Sequence, residues 1–249
     1  MKNFLKSPSN RLFTIVLFVL IAFNVYASIN NNELIMHATK ALSIPLFFSI
    51  YFIKNKYIKN TAIAFLLLTF IGDLFSMLSN DPGTLKISAV AYFCSYALLV
   101  LVGLYRIKGF QFKGFVGAYL ITVFILNGYF MYSLYDVLSN NIEDPTSLFF
   151  TTLQIIALLA LGFVSFAGYL NKDTRQSIVF LVMSFCFIFS QIFNFVETYF
   201  ISYSLFFILE WASYLAGLVL FYTYVVESNR MRKKKLVIER ITIAEKMAA

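Results

Sequence analysis

The sequence predicts an all-α, polytopic membrane protein with eight transmembrane helices. Three observations carry that expectation. Of 249 residues, 60% are hydrophobic and only 13% charged, against roughly 45–50% and 25% in soluble domains. The apolar residues gather in runs long enough to cross a bilayer, and the charges fall in the gaps, alternating in sign from gap to gap. A mean hydropathy of +0.79 with 30 Phe and 16 Tyr excludes soluble enzymes, disordered chains and disulfide scaffolds.

A crossing needs about 20 apolar residues, because hydrocarbon about 30 Å thick is spanned at about 1.5 Å per helical residue. The first run, 11–28, follows Lys2 and Lys6 and opens on Arg11. Val25-Tyr26-Ala27 at its end resembles a signal-peptidase site, but cleavage would leave seven spans needing the same orientation. The second, 35–53, holds His37, Lys40 and Pro45, and the proline favours a kink by removing one backbone hydrogen bond. Lys54, Lys56 and Lys59 precede the third run, 61–78, which is interrupted by Asp73. Asp81 and Lys86 precede the fourth, 87–105, which holds Cys94 and Tyr96. Arg106, Lys108 and Lys113 lead into the fifth, 115–135, with Asn127. An acidic loop over 136–147, carrying Asp136, Glu143 and Asp144, leads to the sixth, 148–170, which has no charge. Lys172 and Arg175 introduce the seventh, 177–198, with Gln191, Asn194 and Glu197. The eighth, 204–226, carries Glu210 and Tyr214, and a basic cluster from Arg230 through Lys235 follows.

Cationic loops thus alternate with the acidic ones, which begin at Glu33, through eight crossings, so both termini are expected in the cytoplasm, with the bacterial plasma membrane as the setting. The domain plan is a cytoplasmic N-terminus over 1–10, a membrane domain over 11–227 and a basic tail over 228–249. That tail is read as a topology-fixing stop signal, although Leu236, Ile238, Ile241 and Ile243 have partly helical spacing that would suit the inner leaflet. The net charge of +8 follows from the loops and does not point to nucleic acid. Cys94 and Cys186 both lie inside apolar runs, so no stapling disulfide is expected.

A shift of 118 residues places Gly72-Asp73-Leu74-Phe75 over Ser190-Gln191-Ile192-Phe193, and Ser95-Tyr96 over Ser213-Tyr214. Spans three and four then echo spans seven and eight as a parallel repeat, of the kind whose interface holds the site in many transporters.

Ionisable groups inside the bilayer cost at least about 2.5–3.5 kcal/mol each, so each needs a partner or a task. Counted from the span centres, Lys40, Asp73, Gln191 and Glu210 all fall roughly 5–7 Å to the outer side of the midplane. Tyr96 and Tyr214 lie near the midplane, and His37 and Glu197 nearer the outer surface. Gln191, Asn194 and Thr198 share one helical face, and Glu210, Tyr214 and Gly217 share another. The expectation is one polar pocket open to the outer half of the bilayer, with a simple buried ion pair as the structural alternative. One histidine and two distant cysteines do not build a zinc site, and a carboxylate site for another metal stays open. No phosphate-binding glycine loop occurs, and spans seven and eight lack a lysine that could hold retinal. No cofactor is therefore expected.

Lys40-Ala-Leu-Ser-Ile-Pro45, Gly72-Asp73, Tyr92-Phe93-Cys94-Ser95-Tyr96, Phe189-Ser190-Gln191 and Tyr214-Leu215-Ala216-Gly217, in this order over roughly residues 12–227, resemble the YhhN family, which includes the lysoplasmalogenases. The resemblance implies a polytopic hydrolase that cleaves the vinyl ether bond of a lysophospholipid to an aldehyde and a glycerophospho head group. It implies Asp73 as proton donor and puts Gln191 at the position where the family carries a second polar group; the shared depth and faces add Lys40, Tyr96, Glu210, Tyr214 and Asn194 as substrate-binding residues, and Glu210 or Glu197, outside the family's motif positions, as a stand-in for the missing acid. That chemistry needs a carboxylic acid and a second carboxylate or dipole for an oxocarbenium-like cation. The chain departs from the family pattern at Gln191, which replaces Asp or Asn, at Tyr96, which replaces His, and at Leu218, which replaces Gln or His. These departures motivate a second reading, a member that has lost catalysis and binds or moves a lipid, and the parallel repeat motivates a third, a solute transporter.

Overall fold

The computed structural model of the chain describes residues 19–27, 30, 33–54, 59–78, 82–105, 107, 115–171, 174–200 and 204–248, and among them every regular element is a helix. Residues 19–27 form α1. It is followed by α2 (Glu33–Lys54), α3 (Asn60–Met77), α4 (Pro82–Leu104), α5 (Phe115–Asn141), α6 (Pro145–Asn171), α7 (Arg175–Tyr199) and α8 (Ser204–Ala248). Six of these contain segments long and apolar enough to cross a bilayer: Asn60–Met77, Gly83–Leu104, Ile121–Asn141, Pro145–Asn171, Arg175–Tyr199 and Leu205–Asn229. The chain accordingly reads as an integral membrane protein. Of the expected first span, 11–18 and 28 lie outside the described residues, as do Lys2, Lys6, Lys56, Asp81, Arg106, Lys108, Lys113 and Lys172 and the side chains of His37 and Asn127.

Most neighbours in the chain pack together: α3 lies against α4, and α7 packs along α8. Between these pairs α6 bridges α4 and α7, while α2 rests on α3 and touches α8. Helix α5 packs on α6 at the edge, leaving Phe124, Ile125 and Tyr129 exposed, as suits a lipid-facing helix. Lipid tails are as apolar as leucine, so close packing rather than water exclusion holds such helices together. Gly103 illustrates the requirement. A Cβ there would sit 2.5 Å from Val164 Cγ1, so only glycine lets α4 approach α6 this closely. At the centre Phe65 meets the Phe187 ring edge-on at 5.6 Å and Phe221 at 4.7 Å, joining α3, α7 and α8.

Two expectations about the boundaries are corrected. Helix α5 continues past 135 to Asn141, and α6 starts at Pro145, so the acidic loop shrinks to residues 142–144. The cause is local. Proline suits the first helical position, where its missing N–H costs nothing. Asp144 caps the helix, accepting from Ser147 N at 2.8 Å, Ser147 Oγ at 2.6 Å and Thr146 Oγ1 at 2.9 Å. Lys86, at the start of α4, completes the cluster with Nζ 3.0 Å from Asp144 Oδ2. The second correction concerns the tail: α8 runs without interruption through the basic cluster to Ala248, so that cluster continues the last helix rather than following it. Cys94 and Cys186 are free.

Candidate functional site

Helix α3 supplies the centre of the site through the pair Gly72-Asp73. A Cβ on Gly72 would lie 2.9 Å from Cδ1 and Cε1 of Tyr92, so the bare backbone admits the Tyr92 ring of α4 against α3. Ser88, one turn earlier on α4, donates to the Gly72 carbonyl at 3.0 Å and fixes the approach. The Tyr92 hydroxyl then reaches Asp73 Oδ1 at 2.6 Å. From α8 the Tyr214 hydroxyl donates to the other carboxylate oxygen, Oδ2, at 2.5 Å.

Helix α2 brings the cation. Lys40 Nζ lies 3.9 Å from Asp73 Oδ1, donates to Glu210 Oε1 of α8, and stands 5.6 Å from the centre of the Tyr214 ring. Glu210 and Tyr214 are one turn apart on α8, so they present to α2 and α3 together. Around Lys40, Ser43 Oγ donates to its carbonyl at 2.6 Å, and Asn24 of α1 donates to Thr39 Oγ1 at 3.3 Å. Pro45 follows five residues on and leaves the carbonyl of Ala41 without its usual helical donor.

The assembly is sealed. Lys40, Asp73, Tyr92, Tyr214 and Glu210 are all at most 4% exposed, and Tyr96, stacked on Tyr92 with ring centres 6.2 Å apart, is 1% exposed. In so dry a place the charges must balance. Lys40 supplies one positive charge and the two carboxylates two negative ones. One proton shared by Asp73 and Glu210 makes the group neutral. Both oxygens of Asp73 accept from phenols, whereas Glu210 meets Lys40 through Oε1.

Of the residues the sequence singles out, Lys40, Asp73, Glu210 and Tyr214 meet directly, and Tyr96 joins through Tyr92. Gln191 does not join them. Its Oε1 accepts from Gln154 Nε2 of α6 at 2.9 Å, which places its polar contact on the seam between α6 and α7. Its own Nε2 is buried without a hydrogen-bond partner among the described residues, as are Ser190 Oγ and Trp211 Nε1. Asn194 is half-buried, and its backbone carbonyl accepts from Thr198 Oγ1 at 2.8 Å. The reason for the separation is angular. A common depth fixes position along a helix but not direction around it.

Sequence reasoning missed Tyr92 and Gln154. Tyr92 was within reach, because it lies one turn before Tyr96 and shares its face. Gln154 was within reach too, as an amide inside the apolar run 148–170 at a depth close to that of Gln191. Among the described residues no three His, Cys, Asp or Glu side chains converge to hold a metal ion. Comparison with protein-family models, curated proteins and solved structures gives no match.

Proposed function

We propose that the chain is a lysoplasmalogenase-like hydrolase, a divergent relative of the YhhN family, which cleaves the vinyl ether bond of a lysophospholipid from the outer half of the bilayer. The observation that supports this reading is the convergence of one ammonium and two carboxylates from α2, α3 and α8 inside an apolar bundle. A lone buried ion pair would need one acid. The second acid gives the group a proton to transfer and a carboxylate to stabilise the cation that results.

In this mechanism Glu210 gives its proton to the vinyl carbon remote from the ether oxygen. Positive charge develops on the carbon bound to that oxygen, facing the Asp73 carboxylate that Tyr92 and Tyr214 hold. Water adds to this carbon and returns a proton to Glu210. The hemiacetal then collapses to a fatty aldehyde and the free hydroxyl of the glycerophospho head group. On this reading Glu210 is the proton donor in place of the Asp73 that the resemblance implies, because both oxygens of Asp73 already accept from phenols, and Gln191 is assigned no step. Since the group is sealed at rest, substrate enters by displacement of α2, which rests lightly on α8 and is weakened at Pro45.

Protein in nanodiscs supplied with lysoplasmalogen releases fatty aldehyde on this reading. Glu210→Gln abolishes release and Asp73→Asn lowers it by about 10²–10⁴-fold. Absence of aldehyde from the wild type, alongside an active lysoplasmalogenase, sinks the proposal. The seal itself favours a second reading, a catalytically silent member that binds or moves a lipid. It is distinguished by lipid that copurifies with wild type, is lost in Lys40→Ala, and is returned intact.

The same proposal includes eight spans, both termini in the cytoplasm of a bacterial plasma membrane, and a parallel repeat of spans three and four with seven and eight. The packing of α3 on α4 and of α7 on α8 supports the repeat. Cysteines introduced at positions 2 and 246 that both react with an impermeant thiol reagent only after the cytoplasmic face is opened would support the orientation. Labelling of either one from outside refutes it.

A further inference from the structure

About 20 Å along the bundle from Asp73, counting 14 residues on α3 at about 1.5 Å each, α3, α4 and α8 part around a cavity of about 360 Å³. That volume falls in the range of roughly 300–1,000 Å³ typical of small-molecule sites. Its walls are mostly hydrocarbon, including Leu98, Leu101 and Val102 of α4 and Phe221 and Val225 of α8, with the Tyr224 phenol of α8 beside them. Its polar groups collect at one end, where Lys59 and Thr61 open α3, Tyr105 closes α4, and Ser228 lies on α8. Lys59 Nζ donates to Ser228 Oγ at 3.3 Å, which holds the ammonium at the cavity rather than out along the chain. Lys59 is also the N-cap residue of α3 and makes no side-chain cap, so the positive end of that helix adds to its charge.

We infer that this cavity binds a single-chain anionic amphiphile, with its carboxylate or phosphate head at Lys59 and its alkyl chain lying between α4 and α8. Charge complementarity selects the head, since the polar end offers a cation and hydroxyls, and among the described residues no carboxylate lines the cavity. The apolar walls select the tail. The mouth lies at the helix ends remote from the buried triad, so this site draws on the opposite leaflet. Its occupancy is independent of the chemistry proposed at Glu210.

The test is native mass spectrometry of the detergent-solubilised full chain, titrated with oleate or with uncharged oleyl alcohol. Oleate forms a one-to-one adduct, and oleyl alcohol binds about tenfold more weakly. Lys59→Gln reduces oleate to the level of the alcohol. Leu98→Trp fills the cavity and removes both adducts, while Lys86→Gln, at the other end of α4, changes neither. The inference is overturned if oleate binds no better than the alcohol, if Lys59→Gln leaves the preference intact, or if a folded Leu98→Trp protein still takes oleate. Lys59 is exposed, so its variant decides the matter even should Leu98→Trp fail to fold.

Discussion

The Lys40 ammonium of α2 donates to Glu210 of α8 across 170 residues of chain. Both side chains are almost wholly buried, where an ion without its partner is costly. Lys40→Met, which leaves the two acids without their buried cation, is expected to lower stability by about 3–5 kcal/mol. The triple variant Lys40→Met, Asp73→Asn, Glu210→Gln recovers most of that loss, because no uncompensated charge remains. Reversible unfolding in mixed micelles measures both. A triple variant no more stable than Lys40→Met contradicts the charge balance drawn here.

The two phenols on Asp73 make a graded prediction. Tyr92→Phe and Tyr214→Phe each remove one hydrogen bond to a charged acceptor and should each cost about 1.5–3 kcal/mol. Tyr96 stacks on Tyr92 and does not donate to Asp73, so Tyr96→Phe should cost less than about 1 kcal/mol. The same unfolding assay ranks the three, and equal losses would remove the distinction between them.

Gly72→Ala tests whether the Gly-Asp pair acts through Tyr92. The added methyl meets the Tyr92 ring at 2.9 Å and must push it from Asp73, at a cost of about 1–3 kcal/mol. In the background of Tyr92→Leu, whose smaller side chain leaves room, the same change should be nearly silent. A full loss in both backgrounds would show that the glycine serves something else.

Asp144 predicts a pH dependence outside the membrane. The Ser147 hydroxyl and backbone N–H, with Lys86 and Thr146, hold its carboxyl well below the ordinary carboxylate range. A group depressed in the folded state stabilises above its unfolded value, about pH 3.9, and loses that contribution as the pH falls further. Wild-type thermal stability should therefore drop more steeply below about pH 4 than that of Asp144→Asn, and the two should run parallel above about pH 5. Parallel curves throughout would remove the role given to Asp144.

Much of this arrangement is legible in the residues themselves. Apolar runs bounded by charges give the helices, and depth counting brings Lys40, Asp73 and Glu210 to one level. What fails is whatever depends on rotation about a helix axis. Gln191 has the right depth and turns to Gln154, whereas Tyr92 has the right direction and was overshadowed by Tyr96. The end of α5 at Asn141 was hidden for a different reason: polar residues from Asp136 onward read as loop, although a helix end in the interfacial region tolerates them. The cavity at Lys59 left no mark in the sequence, because it comes from the splaying of three helices rather than from any residue type.

Helix α8 is 45 residues long, roughly 70 Å at helical rise, more than twice the thickness of bilayer hydrocarbon. It bears Glu210 and Tyr214 near one end and the arginine and lysine cluster toward the other, with no break between them. The buried acid and phenol and the basic segment therefore share one uninterrupted backbone, and the ladder of helical hydrogen bonds is continuous from the core of the bundle to a stretch too long for the bilayer to contain.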